Sequence, residues 1–138
     1  MAESMFGDQG SSILTFRKVG SDDLPLYIHV KHEPLLSPVS SPMEFAKRGR
    51  RIAVEQAPSY TLVSLSDITV DGSATLFHTF TAEPVEEEGV IAYYQTVIPF
   101  GNVGHGFSAT RQREPRGEDG ALARTIFESI RFEEEVSP

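Results

Sequence analysis

The chain has no cysteine, so a disulfide framework, a thiolate zinc site and a cysteine nucleophile are excluded, and the absence suits a reducing compartment. Positive charge is also scarce: 12 lysines and arginines stand against 20 aspartates and glutamates, for a net charge of −8. That balance opposes general attraction to phosphate backbones and anionic membranes, so no nucleic-acid partner is expected. Long apolar runs are missing too. The opening Met-Ala-Glu-Ser-Met-Phe carries an acid and reads as neither a secretory leader nor a spanning segment. Stable membrane insertion is not expected, and the cytoplasm is the expected location. At 138 residues one domain is expected, burying roughly two-thirds of its unfolded surface.

What is present is a regular alternation of strand-like and helix-like segments. Residues 1–12 are small and polar and are expected to be flexible; 13–132 read as the domain, and 133–138 as a solvated acidic tail. Segments 13–19 and 24–31 alternate apolar and polar residues around the turn-forming Gly20-Ser21-Asp22-Asp23, which predicts two antiparallel strands. Residues 33–41 hold Pro34 and Pro38 among serines and read as an extended linker. Ser41 then offers a cap, Pro42 suits the first helical position and Glu44 completes a capping box, predicting a helix over 41–56 that Pro58 ends. Phe45, Gly49, Ile52 and Ala53 share its core side, while Lys47, Arg48, Arg50 and Arg51 occupy the rest. Gly49 costs about 1 kcal/mol of helix propensity against alanine but allows close approach to a sheet.

Segments 62–70 and 74–82 flank Asp71-Gly72-Ser73, a strong hairpin signal. After an acidic loop over 83–89 comes the longest strand, 90–100, then the glycine-rich turn Gly101-Asn102-Val103-Gly104 and a strand over 105–113. The charged stretch 111–120 ends the sheet. Asp119 is placed to cap a last helix over 121–130, where Leu122, Ile126 and Ile130 recur at a spacing of four. The predicted class is α+β (α/β in the broad sense), a central antiparallel sheet packed by two helices. Leu62, Leu76, Phe80, Ile126, Phe127 and Ile130 are its predicted core.

Candidate chemistry is sparse. His29, His32 and Glu33 form an H-x-x-H-E string, but on a strand residues three apart point to opposite faces, so no metal site is expected. Gly101, Gly104 and Gly106 lead from strand to strand and present no helix N-terminus to an anion. No nucleophile elbow or triad can be assembled, and Glu86, Glu87 and Glu88 share a loop where like charges stay solvated. The basic run from Lys47 to Arg51 reads as a solvated helix face balanced by Glu44, Glu55 and the acidic loops. No catalytic residue, metal or cofactor is therefore assigned, and the chain is read as a non-enzyme.

The segment Tyr93-Tyr94-Gln95-Thr96-Val97-Ile98 stands out instead. By strand parity Ile91, Tyr93, Gln95 and Val97 share one face, and Val90, Ala92, Tyr94, Thr96 and Ile98 the other. Both faces are largely apolar, so both need cover, from another segment of the chain, a second subunit or a ligand. Gln95 is an amide with donor and acceptor capacity among apolar neighbours, and needs a hydrogen-bonding partner. Self-association as a two-fold homodimer would protect the second face and the sheet edges.

The element order, with the Asp67-to-Leu76 hairpin D-I-x-V-D-G-x-A-x-L, the long strand Y-Y-Q-T-V-I-P-F, the F-S-A-T-R strand and the terminal helix, resembles the DcrB-like family with its PsbP-like fold. Asp8-Gln9 followed by residues 13–16, without a leader, is most similar to the Eag-type chaperones of bacterial type VI secretion. The resemblance spans about residues 6–132. It implies a dimeric cytoplasmic adaptor whose concave sheet face shields the hydrophobic N-terminal transmembrane helices of a secreted effector. It places Ile13 on the strand lining the groove, and Gln95 at a groove glutamine that can bond the bound helix. With Ile91, Tyr93 and Val97 these residues form the expected partner-binding groove. The family also includes secreted lipoproteins, so a solute-binding or structural lipoprotein domain of the cell envelope is the alternative.

Overall fold

A computed structural model of the chain describes residues 12–16, 26–35, 41–84 and 89–133. Six strands form one antiparallel sheet: β1 (Ser12–Phe16), β2 (Leu26–Pro34), β3 (Thr61–Val70), β4 (Ser73–Ala82), β5 (Ile91–Phe100) and β6 (Val103–Arg111), in the spatial order β1-β2-β6-β5-β4-β3. Helix α1 (Pro42–Gln56) connects β2 to β3, and helix α2 (Gly117–Glu128) follows β6. The α+β architecture expected from the sequence is the observed one.

Local signals account for the element starts. Ser41 Oγ accepts a hydrogen bond from the Glu44 amide at 3.1 Å with Pro42 at the first helical position, which satisfies an amide the helix itself cannot pair. Asp71 and Gly72 make a two-residue turn with φ of 47° and 82°; positive φ at both central positions matches the twist of the strands it joins. Gly101, at φ 61°, opens the turn that pairs Phe100 with Val103.

The two helices lie on opposite sides of the sheet. Cross-strand partners share a face, so the register puts Ile28, Ala109 and Tyr94 on one side with Phe107 and Thr96. There Ala123 and Phe127 of α2 complete the core together with Ile68, Val70 and Phe77. Phe127 sits edge-on to Phe77 at 6.1 Å and tilted to Phe107 at 6.2 Å, separations at which aromatic pairs gain beyond area burial. On the other side, α1 lies over β4 and β5. Its buried Phe45 rests on Gly104, where a Cβ atom would stand 2.7 Å from the ring. The glycine seen to permit close approach is thus in β6, and any side chain at position 104 would displace Phe45.

Several expectations are corrected. β2 continues through Pro34, which pairs with Val103 at the strand's end, where a missing amide is tolerated. Asp119 does not cap α2. The helix starts earlier, at Gly117, and Asp119 in its first turn is buried with its carboxylate 3.5 Å from the Arg111 guanidinium, both about 1% exposed. Tyr94 reinforces this corner: its buried hydroxyl accepts from the Arg116 amide at 3.1 Å. Phe80 and Phe127 are buried as expected, Leu76, Ile126 and Ile130 are half-buried, and Leu62 is 44% exposed. Leu62 misses the core because β3 is an edge strand with a bulge between Leu62 and Ser64, and α1 lies over its inner neighbours. The expected turn at residues 20–23, the loop at 86–88 and most of both terminal segments lie outside the described residues. Among the described residues no helix is long and apolar enough to cross a membrane.

Removing one partner of a buried ion pair takes away compensation for a charge that stays buried. Asp119→Asn is expected to lower unfolding free energy by about 3–5 kcal/mol in urea titration. The double change Arg111→Met/Asp119→Leu is expected to cost less than the single one, since both desolvated charges leave together.

Candidate functional site

The four expected groove residues of β5 fall on the α1 side of the sheet. Ile91, Tyr93, Gln95 and Val97 alternate along β5 as half-buried side chains, while Ala92, Tyr94, Thr96 and Ile98 between them are buried against α2. The register extends the face sideways: Gln95 pairs with Ser108, Ser108 with His29, and His29 with Ile13. Ile13 therefore occupies the same cross-strand row as Gln95, three strands away from it. On the other side Gln95 pairs with His78, and His78 with Leu65.

The second face of β5 is thus covered in part by the chain itself, through α1. Its floor is also less apolar than β5 alone suggested. Towards β6 and β2, Tyr93 and Gln95 are bordered by Thr110 and Ser108, then by Tyr27 and His29. His29 Nε2 lies 3.2 Å from Thr110 Oγ1. Burial, and then the nearby Lys31 ammonium, hold this imidazole below its usual range and favour the neutral, hydrogen-bonding ring. As strand parity requires, His32 lies on the α2 side, opposite His105. Opposite Val97 and Pro99 stand Gly106 and Gly104, so β6 adds no side chains there, and Phe45 and Leu35 fill the space above Gly104.

Under α1 the floor is aromatic. Tyr93 stacks on Phe80 at 4.8 Å with rings 2° from parallel, Phe80 touches His78 at 4.6 Å, and Tyr60 closes the cluster from the segment after α1. Tyr60 Oη and His78 Nε2 are 2.6 Å apart; the phenol donates when the neutral ring carries its proton on Nδ1. Burial first, and then the positive charge of Arg50, lower the His78 pKa to about 4. Arg50 belongs to the run read as solvated. Lys47 and Arg51 are exposed, whereas Arg50 and Arg48 are half-buried, Arg48 with its guanidinium 5.9 Å from the Phe45 ring centroid.

The arrangement suits binding: half-buried apolar and aromatic surface, an amide, and a border of hydroxyl and imidazole groups. Reading β5 alone missed Ser108 and Thr110. The two-residue turn at Gly101-Asn102 could have supplied them, because pairing Phe100 with Val103 sets Gln95 opposite Ser108. Tyr27 and His29 had no such signal, since the β2–β6 pairing joins distant segments.

Neither a protein-family model nor a curated protein matches the sequence. Among solved structures, the crystal structure of PA94 from Pseudomonas aeruginosa, described as a protein of unknown function, is similar in fold. Its TM-score is 0.68 at 14% identity, over 94% of this chain and 88% of that one. The likeness shows the fold.

The lowered His78 pKa carries a sign. The unfolded chain takes up this proton near pH 6.5 and the folded chain only near pH 4, so protonation favours unfolding between those values. Stability is expected to fall as pH drops through that window and to level below it, with His78 supplying at most about 3 kcal/mol. Urea midpoints at steps from pH 7 to pH 4 check this, with His78→Gln expected to flatten the curve relative to the native chain.

Proposed function

We propose that the chain is a non-enzymatic cytoplasmic adaptor, working as a homodimer, that shields the hydrophobic N-terminal transmembrane segment of a secreted type VI effector. The guest lies on the α1 side of the sheet along Ile91, Tyr93, Gln95 and Val97, with Ile13 at the far end of the Gln95 row. The observation that carries this reading is that these four β5 side chains stay half-buried although a helix of the same chain packs on their face. Side chains in that state gain burial when an apolar guest arrives, at about 25 cal/mol per Å² removed from water.

The polar border fits the same role. A spanning helix in water needs cover for about twenty apolar residues, and small polar groups on such a helix need partners as well. Gln95 and the hydroxyls of Ser108 and Thr110 lie in the same strip and can supply them. The net charge of −8 keeps an adaptor loaded with apolar cargo soluble and away from anionic membranes.

Pull-down from the native host, with identification of what is captured, tests the reading directly. Val97→Asp is expected to abolish capture of an effector N-terminal segment while circular dichroism and melting stay native, because a carboxylate would be buried against apolar cargo. Gln95→Ala is expected to weaken binding by about 1–3 kcal/mol. Native-affinity binding by folded Val97→Asp would overturn the placement of the site. Capture of no apolar segment by the native chain would overturn the adaptor reading in favour of an envelope solute-binding or structural domain.

A further inference from the structure

Of the four histidines, His29 meets the Thr110 hydroxyl and His78 the Tyr60 phenol. The other two have each other. Among the described residues His32 and His105 make no hydrogen bond through their rings, and they face one another across β2 and β6 with ring centroids 6.4 Å apart. The backbone pattern explains the approach. The Leu35 amide donates to the Asn102 carbonyl at 2.8 Å, which makes these two a hydrogen-bonded pair at the end of the β2–β6 ladder. Bonded and non-bonded pairs alternate along an antiparallel ladder, so Pro34 with Val103 is a non-bonded pair, Glu33 with Gly104 a bonded one, and His32 with His105 non-bonded again. Pro34, with no amide to give, fits its place in that count. Non-bonded partners are the ones whose side chains stand closest.

The two rings are held differently. His105 is half-buried, with the Phe132 ring 4.7 Å away and the Phe107 ring parallel to within 7°. Burial, and then His32, hold its imidazole below the usual range and keep it neutral, the form that ligates a metal. His32 is exposed, so its side chain has room to turn. The geometry points to a two-histidine site for a divalent metal ion of the zinc class, bridging β2 and β6 through His32 and His105 on the α2 face of the sheet. Imidazole suits such ions better than magnesium or calcium, which take oxygen ligands. Nitrogens at about 2.0–2.1 Å from a tetrahedral ion set the ring centroids roughly 5 Å apart, a closure that rotation of His32 supplies. No group of three or more His, Cys, Asp or Glu side chains gathers among the described residues, so water completes the shell. The H-x-x-H-E string therefore contributes one ligand and not two: parity sends His29 to the other face, and the sheet supplies His105 in its place. A metal here ties β2, and β1 beyond it, to β6. The site lies on the sheet face opposite the β5 groove and does not rest on the adaptor reading.

Isothermal titration of the native chain with zinc chloride alone at neutral pH tests it. One zinc per chain is expected, with the imidazole proton signals of His32 and His105 shifting in NMR spectra and those of His29 and His78 unchanged. His32→Gln, at an exposed position, is expected to keep native circular dichroism and to lose the binding, and His105→Gln to lose it as well. Zinc is also expected to raise the melting temperature of the native chain but not of His32→Gln, because only the folded sheet holds the two imidazoles together. A native chain that takes up no zinc overturns the site. Zinc binding retained in either variant while it is folded, or NMR shifts confined to other residues, overturns it too, since the metal then sits on other ligands.

Discussion

Strand β5 carries apolar side chains on both faces, and a strand of that kind is stable only where each face is covered. Ala92, Tyr94, Thr96 and Ile98 are buried beneath α2, while Ile91, Tyr93, Gln95 and Val97 face the side on which α1 lies. The rest of the architecture follows. The strand occupies an inner position in the sheet, its neighbours β4 and β6 shield its backbone, and the two helices are divided between the faces.

The two covers differ in kind. On the α2 side the packing is buried and fixed by several independent contacts: Phe127 between Phe77 and Phe107, Tyr94 tied to the Arg116 backbone, and Arg111 facing Asp119 at near-zero exposure. Buried charges tolerate few arrangements, so this corner sets where α2 begins. On the α1 side aromatic contacts are mixed with hydrogen-bonding groups. Phe45 sits on a glycine, His78 stays neutral beside Tyr60 and Arg50, and His29 meets Thr110. A face that mixes half-buried apolar surface with hydrogen-bonding groups is the one suited to exchanging solvent for a partner.

The same division bears on the sheet edge. Because α1 sits over β4 and β5, the first half of β3 lacks a helical cover, and leucine and valine side chains that would be core in a central strand remain in water. Arg124 closes the second half from the α2 side. Surface apolarity at β3 and partial burial along β5 are thus two results of one placement, that of a fifteen-residue helix over two strands of six.

The sequence by itself determined the features that depend on neighbours along the chain. Ser41, Pro42 and Glu44 start α1 through local hydrogen bonds, Asp71-Gly72 turns β3 into β4 through permitted φ values, and alternation along β5 assigns each side chain to a face. Knowing that Gln95 shares a face with Tyr93 and Val97 required nothing more. Only the tertiary structure decided which helix covers that face, that His29 and Ser108 share a row with Gln95, that Leu62 stays outside the core, and that Asp119 turns inward to Arg111 instead of capping a helix. Those outcomes depend on pairings such as β2 with β6, between segments far apart in the chain. Their energies come from burial and charge neutralisation across the sheet, which no local pattern of residues encodes.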